Sequence, residues 1–170
     1  MIIVAKGLDP VASCHGQRIC VDKYFSEKSN YELLFIPGGD FALIEGNGEE
    51  FIQWIRDASA NAEEVVAVCT GTVLLGMAGV LYGRRVTTNK IDFTSTIHLA
   101  SKIDWVKEAR WVEDRKLFTS SGVSAGMDMA LAVMTGLFGL EIAERLALGC
   151  EYEWHQDSTR DPFAKRAGLV

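Results

Sequence analysis

Histidine is scarce in this chain of 170 residues, with copies only at positions 15, 98 and 155. A zinc site needs several nitrogen or sulfur ligands at characteristic spacings, so this scatter argues against a metal centre. The four cysteines form neither a C-x-x-C pair nor a dense disulfide pattern. We therefore expect no metal, no cofactor, and reduced thiols in a cytoplasmic protein.

Runs of like charge and long apolar stretches are missing as well. The 17 basic and 23 acidic residues are interspersed and give a net charge of −6, which argues against a nucleic-acid-binding surface and an anionic-membrane partner. The longest apolar segment, residues 129–140, is too short to span a bilayer. The N-terminal residues lack the features of a signal peptide. An apolar fraction of 48% is present and supports the core of one domain over residues 1–170.

Short apolar runs alternate along the chain with segments of helical periodicity. Predicted strands cover residues 2–5, 18–21, 31–36, 65–69 and 85–88, and predicted helices cover residues 49–60, 70–80, 92–101, 123–138 and 140–152. Residues 107–112 and 116–119 predict a hairpin with its turn at residues 113–115. The helix over residues 123–138 is almost free of charge, which predicts burial on most of its sides. This alternation predicts an α/β domain with a largely parallel sheet.

Cys69 lies where the apolar strand at residues 65–68 gives way to a predicted helix rich in small and aliphatic residues. A side chain on such a turn stands over the helix N-terminus, whose unpaired N–H groups favour a thiolate. This is the arrangement of a nucleophile elbow, with Cys-x-Gly in place of Gly-x-Ser-x-Gly. A buried structural cysteine is the alternative. The other cysteines are expected to be ordinary thiols, with Cys150 in the core.

Three loops are expected to meet at the carboxyl edge of the sheet, where sites of α/β proteins form. They are residues 37–40, the elbow at residues 69–71, and residues 119–126. Each alone is compatible with an ordinary turn or helix cap. Their occurrence together in this order predicts a site. Thr72 and Ser121 are candidates to line its cleft, although a capping or packing hydroxyl fits them equally well.

At this point the chain resembles the ThiJ/PfpI superfamily. The matching stretches are LLFIPGG at residues 33–39, VAVCTG at 66–71, GVLYGRRVTTNK at 79–90, TSSGVSAGMD at 119–128, and EYEWH with DPFA near the C-terminus. The resemblance implies a three-layer sandwich with a mostly parallel sheet, flavodoxin-like and class I glutamine amidotransferase-like. The Cys-Thr-Gly elbow is most similar to the isocyanide hydratase-like branch, whose pattern also occurs in sensor domains of some transcriptional regulators.

The same resemblance implies functional roles for individual residues. Cys69 corresponds to the nucleophile, and the backbone N–H groups of Gly39 and Thr70 correspond to the oxyanion donors. It also implies a small-molecule substrate and a homodimer. The residues expected to line the cleft are Gly38, Gly71, Thr72, Ser121 and Gly122.

Two departures from the family pattern narrow the chemistry. Relatives of protease and amidotransferase type place a histidine directly after the cysteine or on a later loop, whereas Thr70 follows Cys69 here and Asn89 stands where many relatives have Thr-Thr-His. We expect His98 and His155 to be surface or interface residues. Family members also begin with a strand and helix that carry an acidic residue bonded to the nucleophile. This chain starts about one such unit late, with no Asp or Glu in the matching position.

Three functional hypotheses remain from the sequence. The first is a cysteine-dependent hydratase or lyase in which the Cys69 thiolate attacks an electrophilic carbon such as that of an isocyanide. The second is a redox or stress sensor that responds through oxidation of Cys69. The third is the sensing domain of a transcriptional regulator, which requires a DNA-binding module on a separate partner. A Cys–His protease or glutaminase is disfavoured.

Overall fold

The computed structural model describes residues 1–13, 15–27, 30–39 and 48–170, so Cys14 and Asp40 lie outside the described residues. The strands are β1 Val4–Ala5, β2 Val11–Ala12, β3 Arg18–Ile19, β4 Lys23–Tyr24, β5 Leu33–Ile36, β6 Glu64–Val68, β7 Arg85–Val86, β8 Asp104–Trp105, β9 Trp111–Asp114 and β10 Leu117–Ser120. The helices are α1 Glu49–Asn61, α2 Gly71–Met77, α3 Phe93–Thr96, α4 Val123–Phe138, α5 Leu140–Gly149 and α6 Pro162–Arg166. None of these helices is long and apolar enough to cross a membrane.

A four-stranded sheet in the order β5-β6-β10-β9 forms the centre of the described chain. Strands β5, β6 and β10 run parallel, and β9 pairs antiparallel with β10. Helices α1 and α2 cover one face through a core that includes Leu34, Ile55, Val65, Leu75 and Leu117. These β-branched and aliphatic side chains are buried, as expected where a parallel sheet is packed against helices.

Helix α4 covers the opposite face of the same sheet. Its Met129 and Val133 pack with Val66 of β6, Trp111 of β9 and Phe118 of β10 in a second apolar cluster. Helices therefore lie on both faces of a sheet that is largely parallel. The predicted α/β class with three layers is confirmed.

The remaining six strands are two residues long and form three separate two-stranded sheets. Strand β1 runs parallel to β4, β2 is antiparallel to β3, and β7 runs parallel to β8. Phe25, directly after β4, stacks on Phe51 and Trp54 and so joins the β1–β4 pair to helix α1. The predicted strands at residues 2–5, 18–21 and 85–88 correspond to β1, β3 and β7, whereas β2, β4 and β8 were not predicted.

The hairpin and the third helix differ from their predicted bounds. Leu117 pairs with Asp114, so the turn consists of Arg115 and Lys116 rather than residues 113–115. Arg115 has φ of 60°, the left-handed conformation that tight hairpin turns require. The helix predicted for residues 92–101 is a short α3 followed by a 3₁₀ turn at Ile97–Leu99.

The prediction that the helix over residues 123–138 is buried on most sides is wrong. Ala125, Met129 and Val133 are buried against the sheet, whereas Val123 is 78% exposed and Phe138 is 62% exposed. Composition cannot identify which apolar faces have a neighbour, because that depends on the other elements in the layer. Cys150 was expected in the core, but it is exposed at the end of α5.

Candidate active site

Cys69 occupies a strained turn between β6 and α2. Its φ is 59°, a left-handed conformation that residues with a Cβ seldom adopt. The Cys69 N–H donates to the carbonyl of Ser120 at 3.1 Å, and the Cys69 carbonyl accepts from Thr88 Oγ1 at 2.9 Å and from the Thr72 N–H at 3.2 Å. These three bonds hold the turn from the neighbouring strand, the loop after β7 and the helix. The side chain itself is half-buried.

Two glycines allow the loop after β5 to touch this elbow. A Cβ at Gly71 would lie 2.4 Å from the Ile36 carbonyl oxygen, and a Cβ at Gly38 would lie 2.7 Å from the Val68 carbonyl oxygen and 2.8 Å from the Cβ of Cys69. All three distances are well inside van der Waals contact. Any larger residue at either position would push the loop and the elbow apart.

The thiol opens into a cleft of about 260 Å³ at the carboxyl ends of β5 and β6. Among the described residues, its lining is almost wholly apolar and contains no ionisable side chain other than the thiol: Phe35, Pro37, Gly38, Gly39, Val68, Cys69 and Val123. A cleft of this size and polarity suits a small uncharged molecule.

The two expected oxyanion donors differ in their hydrogen bonding. The Gly39 N–H donates to Thr70 Oγ1 at 2.9 Å, and the same hydroxyl donates to the Gly39 carbonyl at 3.0 Å. Gly39 is therefore held to the elbow by its own N–H, which is engaged and not available to a ligand in this arrangement. The Thr70 N–H makes no hydrogen bond within the described ranges. The sequence analysis assigned a role to the Thr70 backbone N–H but none to its hydroxyl, so it did not foresee this pairing.

The remaining predicted residues do not gather around the thiol. Gly71 packs beneath the loop after β5, and Thr72 is fully buried, with no hydrogen-bond partner for its Oγ1 among the described residues. Ser121 and Gly122 line a neighbouring cavity of about 180 Å³. The structure thus brings Gly38 and Gly39 to Cys69 in one cleft and places the other four outside it.

A buried lysine beside that second cavity was missed by the sequence analysis. Lys90 is 2% exposed, and its Nζ donates to Thr87 Oγ1 at 2.5 Å and lies 5.7 Å from the centre of the Phe93 ring. Burial lowers the pKa of Lys90 to about 8, although the Asp161 carboxylate opposes the change. A lysine in a loop is normally expected to be exposed to solvent. The only sequence feature that singled out Lys90 was its place in the Thr-Thr-Asn-Lys motif.

The buried Asp128 carboxylate of α4 pairs with Arg110, directly before β9, and also anchors the C-terminal segment. Arg110 Nε and Nη2 both approach Asp128 Oδ2 at 2.6 Å. The other oxygen, Oδ1, accepts from the Tyr152 hydroxyl and the His155 N–H, each at 2.9 Å. Burial, followed by the bond to Asp128, raises the pKa of Tyr152.

No histidine among the described residues lines the cleft. His98 and His155 are exposed, the first in the 3₁₀ turn and the second after α5. Over the described ranges, no three histidine, cysteine or acidic side chains are grouped to hold a metal ion. The described part of the cleft thus offers a thiol and backbone N–H groups set among apolar walls.

The fold and the elbow define an α/β domain with a cysteine at the carboxyl edge of its sheet. The DJ-1/PfpI family model matches residues 1–136, and the chain belongs to the DJ-1/PfpI family. Among curated proteins, it is 34% identical to an isonitrile hydratase of Pseudomonas putida over 152 residues, which is 88% of this chain and 64% of that protein. It is 25% identical to the HTH-type transcriptional regulator CdhR of Pseudomonas aeruginosa, over 94% of this chain and 48% of the regulator.

Solved structures agree with this assignment. A ThiJ/PfpI family protein from Pseudomonas syringae superimposes with a TM-score of 0.78 at 30% identity, covering 99% of this chain and 72% of that one. A DJ-1 superfamily protein from Salmonella typhimurium gives 0.76 at 21% identity, covering 89% and 82%, and shares the fold. The chain spans less than two thirds of the length of the two curated relatives.

Proposed function

We propose that this chain is a cysteine-dependent hydratase or lyase for a small uncharged electrophile, with an isocyanide as the first candidate substrate. The observation that carries the proposal is Cys69 at a strained elbow that opens into an apolar cleft of about 260 Å³. Similarity to an isonitrile hydratase supports the choice of substrate. The apolar character of the described lining favours a small neutral substrate over a peptide or glutamine.

The chemistry proceeds through a covalent intermediate. The thiolate of Cys69 attacks the terminal carbon of R–N≡C, and that carbon takes a proton from solvent to give the thioimidate R–N=CH–S–Cys. Water then adds to the same carbon, and the C–S bond breaks as the thiol leaves. The net reaction adds one water to the isocyanide and yields the N-substituted formamide R–NH–CHO, with Cys69 regenerated.

Negative charge that develops during attack needs a donor near the sulfur. The Thr70 N–H follows Cys69 directly in the chain and has no hydrogen-bond partner within the described ranges. The Gly39 N–H becomes a second donor only if it leaves Thr70 Oγ1. A substrate therefore has to compete with the threonine hydroxyl for that donor.

Turnover of an isocyanide tests the proposal directly. Purified protein is incubated with cyclohexyl isocyanide, and formamide is quantified by mass spectrometry. We expect formamide production by the native chain, none by Cys69→Ala, and native rates for Cys150→Ser, which alters an exposed thiol at the end of α5. Absence of formamide, or undiminished formation by Cys69→Ala, would exclude this function.

Oxidation of Cys69 is the second candidate, because Cys69 is only partly buried and lies at the cleft. One peroxide molecule would convert the thiolate to a sulfenic acid with release of water, and a second would give the sulfinic acid. Intact-mass analysis after peroxide treatment is expected to show one or two added oxygen atoms that disappear in Cys69→Ala. An unmodified Cys69 under these conditions would rule the sensor out.

A sensing role related to transcriptional regulators is favoured by one observation, the alignment of 94% of this chain with about half of CdhR. A sensing domain would bind its ligand in the cleft without consuming it. A small neutral ligand that raises the melting temperature of the native chain and is recovered unchanged would favour this role over catalysis.

A further inference from the structure

The second cavity, of about 180 Å³, shares no lining residue with the Cys69 cleft. Four of the side chains in its wall are charged or polar and are at most 6% exposed: Lys90, Arg110, Ser121 and Asp161. Burial of such groups is costly unless each of them has a polar partner. The chemistry proposed for Cys69 uses none of the four, so their grouping in one cavity calls for a separate explanation.

Lys90 and Asp161 carry opposite charges in this wall but do not form a direct ion pair. Within the described chain, Lys90 Nζ has a single hydrogen bond, to Thr87 Oγ1, and no carboxylate oxygen lies within 4 Å of it. Asp161 Oδ1 accepts from the Phe163 N–H at 3.0 Å, and Oδ2 has no partner among the same residues. The ammonium group therefore keeps donors, and the carboxylate keeps an acceptor, for a molecule in the cavity.

The start of helix α4 adds donors to the same wall. Gly122, directly before the helix, and Ala125 in its first turn both line the cavity. The first N–H groups of a helix have no acceptor within the helix, and no described side chain caps this end of α4. The Ser121 hydroxyl also has no hydrogen-bond partner within the described ranges. These donors, together with the helix dipole, favour a carboxylate or a similar oxygen anion.

The formal charges around the cavity nevertheless cancel. Arg110 is neutralised by Asp128, whose Oδ2 lies 2.6 Å from both Nε and Nη2 of the guanidinium. The charge of Lys90 is balanced by that of Asp161. A simple anion or a simple cation would therefore leave one buried charge without compensation, which is costly. A molecule that carries both charges leaves none.

We propose that this cavity binds a small zwitterionic α-amino acid. The carboxylate of the amino acid accepts hydrogen bonds from Lys90 Nζ, the Ser121 hydroxyl and the first N–H groups of α4, and its ammonium group donates to Asp161 Oδ2. At about 30 Å³ for each water molecule, the cavity has room for about six water-sized groups, which matches the size of alanine. Ala125 and Phe163 provide apolar surface for a methyl side chain. This inference is independent of the chemistry at Cys69.

Binding of L-alanine at pH 7 is the first test, because Lys90, with a pKa of about 8, is mainly protonated there. Isothermal titration calorimetry and saturation-transfer NMR compare glycine, L-alanine and L-serine with propionate and ethylamine, which each lack one of the two charged groups of alanine. We expect saturable binding of one L-alanine per chain and binding of both analogues that is weaker by roughly tenfold or more. An analogue that binds as tightly as L-alanine, or a chain that binds none of the three amino acids, overturns the proposal.

Substitutions in the wall are the second test, because they locate the bound amino acid. Lys90→Met and Asp161→Asn each remove one of the two unpaired charges, and asparagine preserves the N-cap of α6 that Asp161 provides. Each variant is expected to bind L-alanine roughly tenfold or more weakly than the native chain. Circular dichroism confirms that each variant is folded.

Two control variants should keep the native affinity for L-alanine. Lys107→Met removes the charge of an exposed lysine outside the cavity, and Cys69→Ala alters the neighbouring cleft. Loss of binding in Cys69→Ala would place the amino acid in the Cys69 cleft, and native affinity in both wall variants would place it elsewhere. Either result overturns the proposal. None of these measurements requires turnover, so they remain decisive whether or not the chain produces a formamide.

Discussion

Gly71→Ala gives the sharpest test of the elbow geometry. The added Cβ would sit 2.4 Å from the Ile36 carbonyl oxygen, about 1 Å inside normal contact, and two further Pro37 backbone atoms lie within 2.9 Å. Overpacking of this kind costs about 1–3 kcal/mol. Alanine returns about 0.5–1 kcal/mol as a better helix former. The net loss is up to about 2.5 kcal/mol, which lowers the melting temperature by up to roughly 10 °C for a chain of this size.

The matched control is Gly136→Ala within α4, where the new Cβ would meet no atom within 4 Å. Here only the helix-propensity gain applies, and the melting temperature should rise by about 1–3 °C. Differential scanning calorimetry measures both variants. The rate of Cys69 alkylation by iodoacetamide should change in Gly71→Ala alone, because the loop that walls the thiol is displaced. Two variants that both stabilise the protein would show that the loop does not approach the elbow as described.

The structure also gives expected changes in stability for three further substitutions. The pKa of Lys90 falls from 10.5 to about 8 on folding, so this lysine opposes folding below pH 8 and its penalty fades as the pH rises to 10.5. Lys90→Met should therefore stabilise the chain by up to about 2 kcal/mol at pH 7 and flatten that rise, and urea unfolding at pH 7 and pH 10 measures both effects. Asp128→Asn should cost about 3 kcal/mol in the same assay by leaving the Arg110 guanidinium buried without its counter-ion, and a loss below 1 kcal/mol would contradict the pairing. Thr88→Val should cost about 1 kcal/mol and alter Cys69 alkylation, whereas Thr88→Ser, which keeps the hydroxyl that donates to the Cys69 carbonyl, should do neither.

The elements that position the thiol could be predicted because their signals are local. Residues 65–68 form a short β-branched run, and a helix of small residues follows, so the turn at Cys69 followed from the pattern alone. The Pro-Gly-Gly loop was placed beside it because the carboxyl ends of parallel strands share one edge of a sheet.

The features that the sequence analysis missed depend on contacts between distant segments. The Gly39–Thr70 pair joins residues 31 apart, and Lys90 is enclosed by elements from three parts of the chain. Ser121 and Gly122 follow β10 at the expected edge of the sheet, but they line the neighbouring cavity and not the Cys69 cleft. No local sequence pattern indicates which of the two cavities a residue at this edge lines. The exposed side of α4 was not predicted for the same reason. Composition shows that a helix is apolar, but it does not show whether another element packs against each of its sides.

Because φ at Cys69 is 59°, the residue that would give the most stable fold at this position differs from the residue that the proposed function requires. Glycine would take this conformation without the roughly 1–2 kcal/mol that a side chain incurs there. The fold would therefore be more stable with glycine at position 69 than with cysteine. Under the proposed function, a descendant that lost the chemistry would gain stability by mutating Cys69 to glycine. The residue at this turn would then distinguish members of such a lineage that retain the proposed chemistry from those that keep only the fold.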